Sequence, residues 1–110
     1  MPTTFKQALR SSIGTTPIDV LTIPIGFTAT IIGCNLANIT ENDVVNVDVY
    51  VTGVDSVDAT YVKGLAVGPN SAVKIITNGE KLILPQESSL KIVSDLADSI
   101  SAVISYVELS

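Results

Sequence analysis

Residues 43–52 read DVVNVDVYVT, and this stretch decides the fold class. Successive side chains of an extended strand point to opposite faces. Val45, Val47, Val49 and Val51 therefore share one face, and Asn46, Asp48, Tyr50 and Thr52 share the other. One dry face and one wet face describe a strand whose sheet covers a core on one side only. The same alternation recurs with Val73 and Ile75 around Lys74, and with Leu90 and Ile92 around Lys91.

Working outward, the whole chain is built of similar material. Val, Ile and Thr number 14, 13 and 11 of 110 residues, and aromatics are only 5%. These β-branched side chains are stiff at χ1 and suit a pleated surface. For a chain of 110 residues, the size scaling gives a folded surface of roughly 5,800 Å² against roughly 16,700 Å² unfolded, enough burial for one domain without staples.

Turn signals fall at 14–17, 24–26, 40–43, 53–58, 68–70, 78–79, 85–88 and 95–99. Short runs between regularly spaced turns indicate a sandwich or barrel. The expectation is an all-β chain: a single antiparallel β-sandwich, jelly-roll or Ig-like, of about 7–9 strands, with an N-terminal arm or edge strand over residues 1–16 and the sandwich over 17–110. Asn78-Gly79 reads as a hairpin turn between 73–77 and 81–84, because a type I′ turn needs positive φ at both central residues. Pro24 and Pro85 mark strand ends, since proline cannot donate to a ladder. Gly33, inside an apolar run, marks a bulge or a close backbone approach. Residues 29–36 (ATIIGCNL) and 100–109 (ISAVISYVEL) are apolar on both faces, more than a lone sandwich needs, and the surplus reads as subunit contact. Residues 4–13 fit either period: Phe5, Leu9 and Ile13 have helical spacing, whereas Thr3, Phe5, Gln7 and Leu9 fit one face of a strand.

Several chemistries are excluded. The chain has no His, so it has no imidazole base, no Ser-His-Asp or Cys-His pair, and no His-ligated zinc. Its single cysteine, Cys34, allows no internal disulfide and sits among aliphatics as a buried thiol. Six basic residues stand against 11 acidic ones, for a net charge of −5, and they are dispersed; this argues against nucleic acid as a partner. Mean hydropathy is positive, yet no run reaches the 18 or so apolar residues of a spanning helix, so no membrane partner is expected. Residues 1–12 lack the apolar centre of a secretory signal. The carboxylate pairs Asp55/Asp58 and Asp95/Asp98 lack a third ligand and EF-hand spacing, and read as turn residues. Tyr50, Tyr61 and Tyr106 are the one hint of a glycan-stacking platform. No catalytic residue, cofactor or metal is expected.

A family resemblance enters with residues 19–38, DVLTIPIGFTATIIGCNLAN. This run resembles the opening of small tailed-bacteriophage virion proteins: a strand, Thr-Val-Pro-x-Gly, Thr-Ala-x-Ile-x-Gly, then Ala-Asn. The likeness continues through Tyr61-Val62-Lys63-Gly64, Gly68-Pro69-Asn70-Ser71, the Asn-Gly turn and Lys81-Leu82-Ile83-Leu84. It ends at Ala102-Val103-Ile104-Ser105-Tyr106-Val107-Glu108 and covers about residues 18–110. One departure is the turn Pro85-Gln86-Glu87-Ser88, where such proteins often carry Gly-Asp; this puts the turn geometry in question.

The resemblance implies a β-sandwich subunit of a virion, made in the host cytoplasm. It would be a multi-copy capsid decoration or cement subunit bound to the major capsid protein or other virion subunits. A homo-oligomer is implied, with a trimer the form for a capsid decoration. The alternatives are a neck or tail component, or a glycan-binding adhesin module. Residues 1–16 hold Lys6 and Arg10 and no acid, +2 against −7 for the remainder. They are expected to act as a basic arm or added strand on a neighbour. Phe5, Leu9 and Ile13 would be its anchors, with Lys6 and Arg10 its charges.

Overall fold

The computed structural model describes residues 3–53, 55, 57–76 and 81–110. Among these the chain forms nine strands: β1 (Thr3–Ile13), β2 (Ile18–Thr22), β3 (Thr28–Asn38), β4 (Val45–Thr52), β5 (Asp58–Val67), β6 (Ala72–Ile76), β7 (Leu82–Leu84), β8 (Ser89–Ser94) and β9 (Ile100–Leu109). They make two antiparallel sheets. The first runs β1-β9-β3-β6, with β7 also on β3; the second runs β2-β8-β4-β5.

The pairing decides between the two sandwich types. Strands β6 and β7 lie in tandem along one edge of β3: Ala72 opposes Ala37 and Ile76 opposes Cys34, then Leu82 opposes Ile31 and Leu84 opposes Ala29. Counted as one interrupted strand, they leave eight. The first then pairs with the last, the second with the seventh, the third with the sixth and the fourth with the fifth. This is a long hairpin, its tip between β4 and β5, rolled into two facing sheets: a jelly roll.

Two sequence readings are resolved or revised here. Residues 4–13 are strand, not helix; β1 pairs with β9 from Thr3–Leu109 to Ile13–Ile100 and is the edge strand of the first sheet. The Asn78-Gly79 turn lies outside the described residues. The strands flanking it do not pair with each other as the hairpin reading expected, since both lie on β3. An Asn-Gly pair reports only local φ preference, while the 11-residue β3 offers a ladder long enough for both strands.

Alternation builds the core. From β4, Val45, Val47 and Val49 point inward and are fully buried. They join Ile31 and Leu36 of β3, Leu90 and Ile92 of β8, and Ile100 and Ile104 of β9 in one aliphatic cluster. The total accessible surface is 5921 Å², close to the compact-globule value from size alone. The runs 29–36 and 100–109 each divide: one half enters this core and the other half faces outward.

Polar buried groups stitch the ends of the roll. Asn38 closes β3 with all its hydrogen-bonding groups engaged. Its Nδ2 donates to the carbonyls of Asp43 (2.7 Å) and Val67 (2.8 Å), and its Oδ1 accepts from Thr40 N (2.9 Å) and Oγ1 (2.6 Å). The hydroxyls of Ser94 and Ser99 lie 3.0 Å apart and both reach the Leu96 carbonyl. Ser94 N and Ser99 N donate to Gly14 O and Ile13 O, which fixes the end of β1. Gly14 is tightly enclosed, since a Cβ there would stand 3.2 Å from Asp98 N and the 95–99 turn would have to yield by a few tenths of an ångström. In the turn of 85–88, Glu87 holds φ at 62°, a conformation glycine adopts freely and other residues at a cost. The turn geometry left open by the missing Gly-Asp is thus left-handed at a glutamate.

Two substitutions measure this arrangement. Ile104→Ala empties a fully buried site and is expected to cost about 2–5 kcal/mol in denaturant unfolding, whereas Ile83→Ala, on an outward side chain, is expected to stay within about 0.5 kcal/mol. Asn38→Ala removes the bonds to the Val67 carbonyl and from Thr40 N, while Thr40 Oγ1 keeps the Asp43 carbonyl at 3.0 Å, and is expected to cost about 1–3 kcal/mol in the same measurement.

Candidate interaction face

The cross-strand register of the first sheet aligns its outward residues in rows. Phe5, Val107, Thr30 and Ile83 form one row across β1, β9, β3 and β7. Leu9, Val103, Asn35 and Lys74 form another across β1, β9, β3 and β6. Between them lie Gln7 and Ser105, opposed by a bulge in β3 where Ile32 and Gly33 together face Ser105. Phe5 is 78% exposed, Leu9 65%, Ile83 63% and Ile32 44%. Among these rows the only charge is Lys74. Large apolar side chains stand clustered on one sheet face with no carboxylate among them, which makes this face the candidate interaction surface.

The bulge shapes the centre of this face. Small residues, Gly33 and Ser105, leave an open hollow of ≈ 570 Å³ beside Ile32, Lys74 and Val103. A Cβ placed at Gly33 would meet nothing nearer than Ser105 Cβ at 4.0 Å. Of the two sequence readings of Gly33, the bulge is therefore the one observed, and close approach is not its cause.

The outer face of the second sheet is different in kind. Asp19, Lys91, Tyr50 and Thr60 form its central row. Asp48 accepts from Gly64 N at 2.7 Å and sits 3.7 Å from Lys63 Nζ. Asp58 accepts from Thr52 Oγ1 at 2.6 Å. This face is polar, and its Asp48 and Asp58 carboxylates are engaged within the sheet.

The structure separates the five residues read as partner-binding. Phe5 and Leu9 stand exposed on the apolar face. Ile13 is fully buried, so it serves the chain's own core and presents nothing to a neighbour. Lys6 Nζ lies 2.7 Å from Glu108 Oε1, a carboxylate that is itself buried. Arg10 Nη2 donates to Asp19 O at 3.4 Å. The hydrogen bond to Glu108 raises the Lys6 pKa above its ordinary 10.5. A raised lysine pKa stabilises the fold below the unfolded value and loses that contribution as pH climbs through the folded one, so this bridge holds throughout the neutral range. Lys6 thus locks β1 to β9. Ile32, Ile83 and Val103 are face residues the sequence reading did not single out; the cross-strand register, not visible in one strand, brings them together.

The remaining chemical candidates have structural duties. Asp95 accepts from Asn46 N and Nδ2 at 2.9 and 3.0 Å, and Asp55 accepts from Val57 N. Among the described residues no group of three potential metal ligands occurs. Tyr106 is buried in the core and Tyr50 points outward from β4, so the three tyrosines do not share one platform. Cys34 is buried, and burial pushes its thiol pKa up to about 12.

No family model matches the sequence, and no curated protein matches it. Among solved structures, the chain is similar to a subunit of Bacillus endospore appendages, described as a novel family of disulfide-linked pili. The TM-score is 0.58 at 9% identity, over 98% of this chain and 88% of that one. It is also similar to a protein of infectious bursal virus-derived T=1 particles, with TM-score 0.53 at 14% identity, over 97% of this chain but 31% of that one. At such identities the likeness is one of fold alone. No described helix is long and apolar enough to cross a membrane.

The burial of Cys34 has a measurable consequence. A thiol reagent at mildly alkaline pH is expected to leave the folded chain unlabelled and to titrate one thiol at the unfolding transition. Labelling at the free-thiol rate in native buffer would show the site open.

Proposed function

We propose that this chain is a structural subunit of a bacteriophage virion. It is read as a multi-copy capsid decoration or cement subunit that seats the outer face of its first sheet on the major capsid protein or another virion subunit. The observation that carries this reading is the acid-free apolar face, rigidly mounted on a jelly roll. The family resemblance of residues 18–110 supplies the virion, and the jelly roll is an architecture capsid proteins use. Disulfide linkage, by which the endospore appendages are described as held, is closed to folded Cys34. Contacts made by these residues are therefore noncovalent. Individually modest contacts hold firmly when many copies engage a lattice at once.

The test separates the face from the fold. Gly33→Leu fills the hollow from outside, and Phe5→Asp places a charge on the apolar row; each is expected to leave unfolding within about 0.5 kcal/mol of the parent. Both are expected to lower retention on purified particles, whereas Tyr50→Ala, on the opposite face, leaves it unchanged. Electron microscopy of the parent particles should show copies spread over the shell. Copies at a single vertex would favour the neck or tail, and undiminished retention of both face variants would overturn the proposed seat.

A further inference from the structure

Strand β1 has a second edge. Its first is paired to β9, and its other lies open at the rim of the first sheet. An open edge is a template for another strand unless it is guarded by short length, proline, a bulge, charge (inward-pointing charge included) or a covering segment. Along the regular length of β1 the guard present is its pair of core-side cations, Lys6 opposite Tyr106 and Arg10 opposite Ala102, and both are tied down. The strand is 11 residues long and has no proline. Its register shifts only between Arg10 and Ile13, at its far end. Its two cations are drawn to acceptors of their own chain, Lys6 to Glu108 and Arg10 to the Asp19 carbonyl.

We propose that this edge pairs with β1 of a second copy of the same chain, antiparallel across a two-fold axis that passes beside Gln7. The contact is isologous, so one edge supplies both sides. Charge, together with the length of regular strand overlapped before the register shift after Arg10, selects the register. For both cores to lie on the same side of one continuous sheet, outward residues must oppose outward residues. With Lys6 on the axis, Lys6 opposes Lys6; with Ala8 on the axis, Lys6 opposes Arg10 twice. Like charges directly opposite are unfavourable. With Gln7 on the axis, Lys6 opposes Ala8 and Arg10 opposes Thr4, and residues 3–11 of both copies overlap.

The same register brings further complementarity. Phe5 of one copy opposes Leu9 of the other, twice, and extends the apolar rows across the seam. Arg10 of the second copy enters the row of Thr4 and Glu108. It then lies two strand spacings, about 9–10 Å, from the Glu108 backbone, a gap that the arginine, turned from its long 3.4 Å contact with the Asp19 carbonyl, and the glutamate that Lys6 already holds close between them. The seam is only two strands wide, well under a standard interface of about 1,200–2,000 Å², so the dimer is weak in dilute solution and gains strength in a many-copy array. Self-pairing is a property of the chain alone and is tested without particles.

Gln7 is exposed, so its substitution spares the core; circular dichroism and an unchanged unfolding midpoint check this. Sedimentation of the parent is expected to show a concentration-dependent monomer–dimer equilibrium approaching millimolar chain. Gln7→Lys and Gln7→Glu are each expected to weaken it about fivefold, the effect of about 1 kcal/mol between like charges at the axis. An equimolar mixture of the two should restore it. Under mild oxidation, Gln7→Cys is expected to cross-link to itself, and Phe5→Cys only to Leu9→Cys, because directly opposed residues lie within disulfide reach. A parent monomeric at millimolar concentration with Gln7→Cys unlinked would overturn the proposal. So would dimers indifferent to charge at position 7, or linkage of Gln7→Cys to Lys74→Cys, which means open head-to-tail pairing.

Discussion

The structure depends on one irregularity, the bulge at Ile32 in β3. Upstream of it the inward residues of the strand are odd-numbered, Ala29 and Ile31; downstream they are even-numbered, Cys34, Leu36 and Asn38. A strand has a side-chain period of two, so a shift of one residue exchanges core and surface for everything beyond it. Without the extra residue, Cys34 and Leu36 would face water and Asn35 would face the core. The bulge lets β3 pair β9 from Thr28–Leu109 through to Asn38–Ile100 while keeping aliphatic side chains inward along its whole length. It also delivers Asn38 to the position where one side chain ties together the loop after β3 and the end of β5.

The same bulge makes the surface. Placing two residues opposite Ser105 turns Ile32 outward and leaves the hollow over Gly33. Core and candidate face therefore arise from a single backbone event. The two sheets then divide the work. The second carries carboxylates on its outer face and holds Asp48 and Asp58 within the strands, through Gly64, Lys63 and Thr52. The first carries nearly no charge and shows aliphatic rows to the outside.

Much of this was legible in the sequence, and the limits have physical causes. The alternation of 43–52 assigned β4 and both of its faces, since period two is a local property of one strand. The turn signals fell between strands, because Gly, Pro, Asn and Asp act through local φ and side-chain bonds. Strand order was not legible: jelly-roll and Ig-like sandwiches use the same local grammar, and only long-range pairing separates them. The fate of 73–84 was misread for that reason. The placement of the expected anchors was half legible. Phe5 and Leu9 do face outward, but Ile13 extrapolated a periodicity across Ser12, whose φ of 59° lies in the register shift of the strand, beyond which Ile13 turns into the core. Lys6 looked free in the sequence because its partner, Glu108, lies at the other end of the chain.

The placement of charge limits how copies of such a body can meet. At one end of the roll, loops 39–44 and 95–99 carry Glu41, Asp43, Asp95 and Asp98; at the other, loops 53–57 and 85–88 carry Asp55 and Glu87. Among the described residues of these loops there is no lysine or arginine. End-to-end stacking would press carboxylates together, which opposes association strongly when charges are desolvated. The outer face of the first sheet and the rim at β1 carry no exposed acid. Acidic ends therefore act together with the apolar face: they disfavour growth along the long axis, and they leave lateral contact through the first sheet as the electrostatically open route.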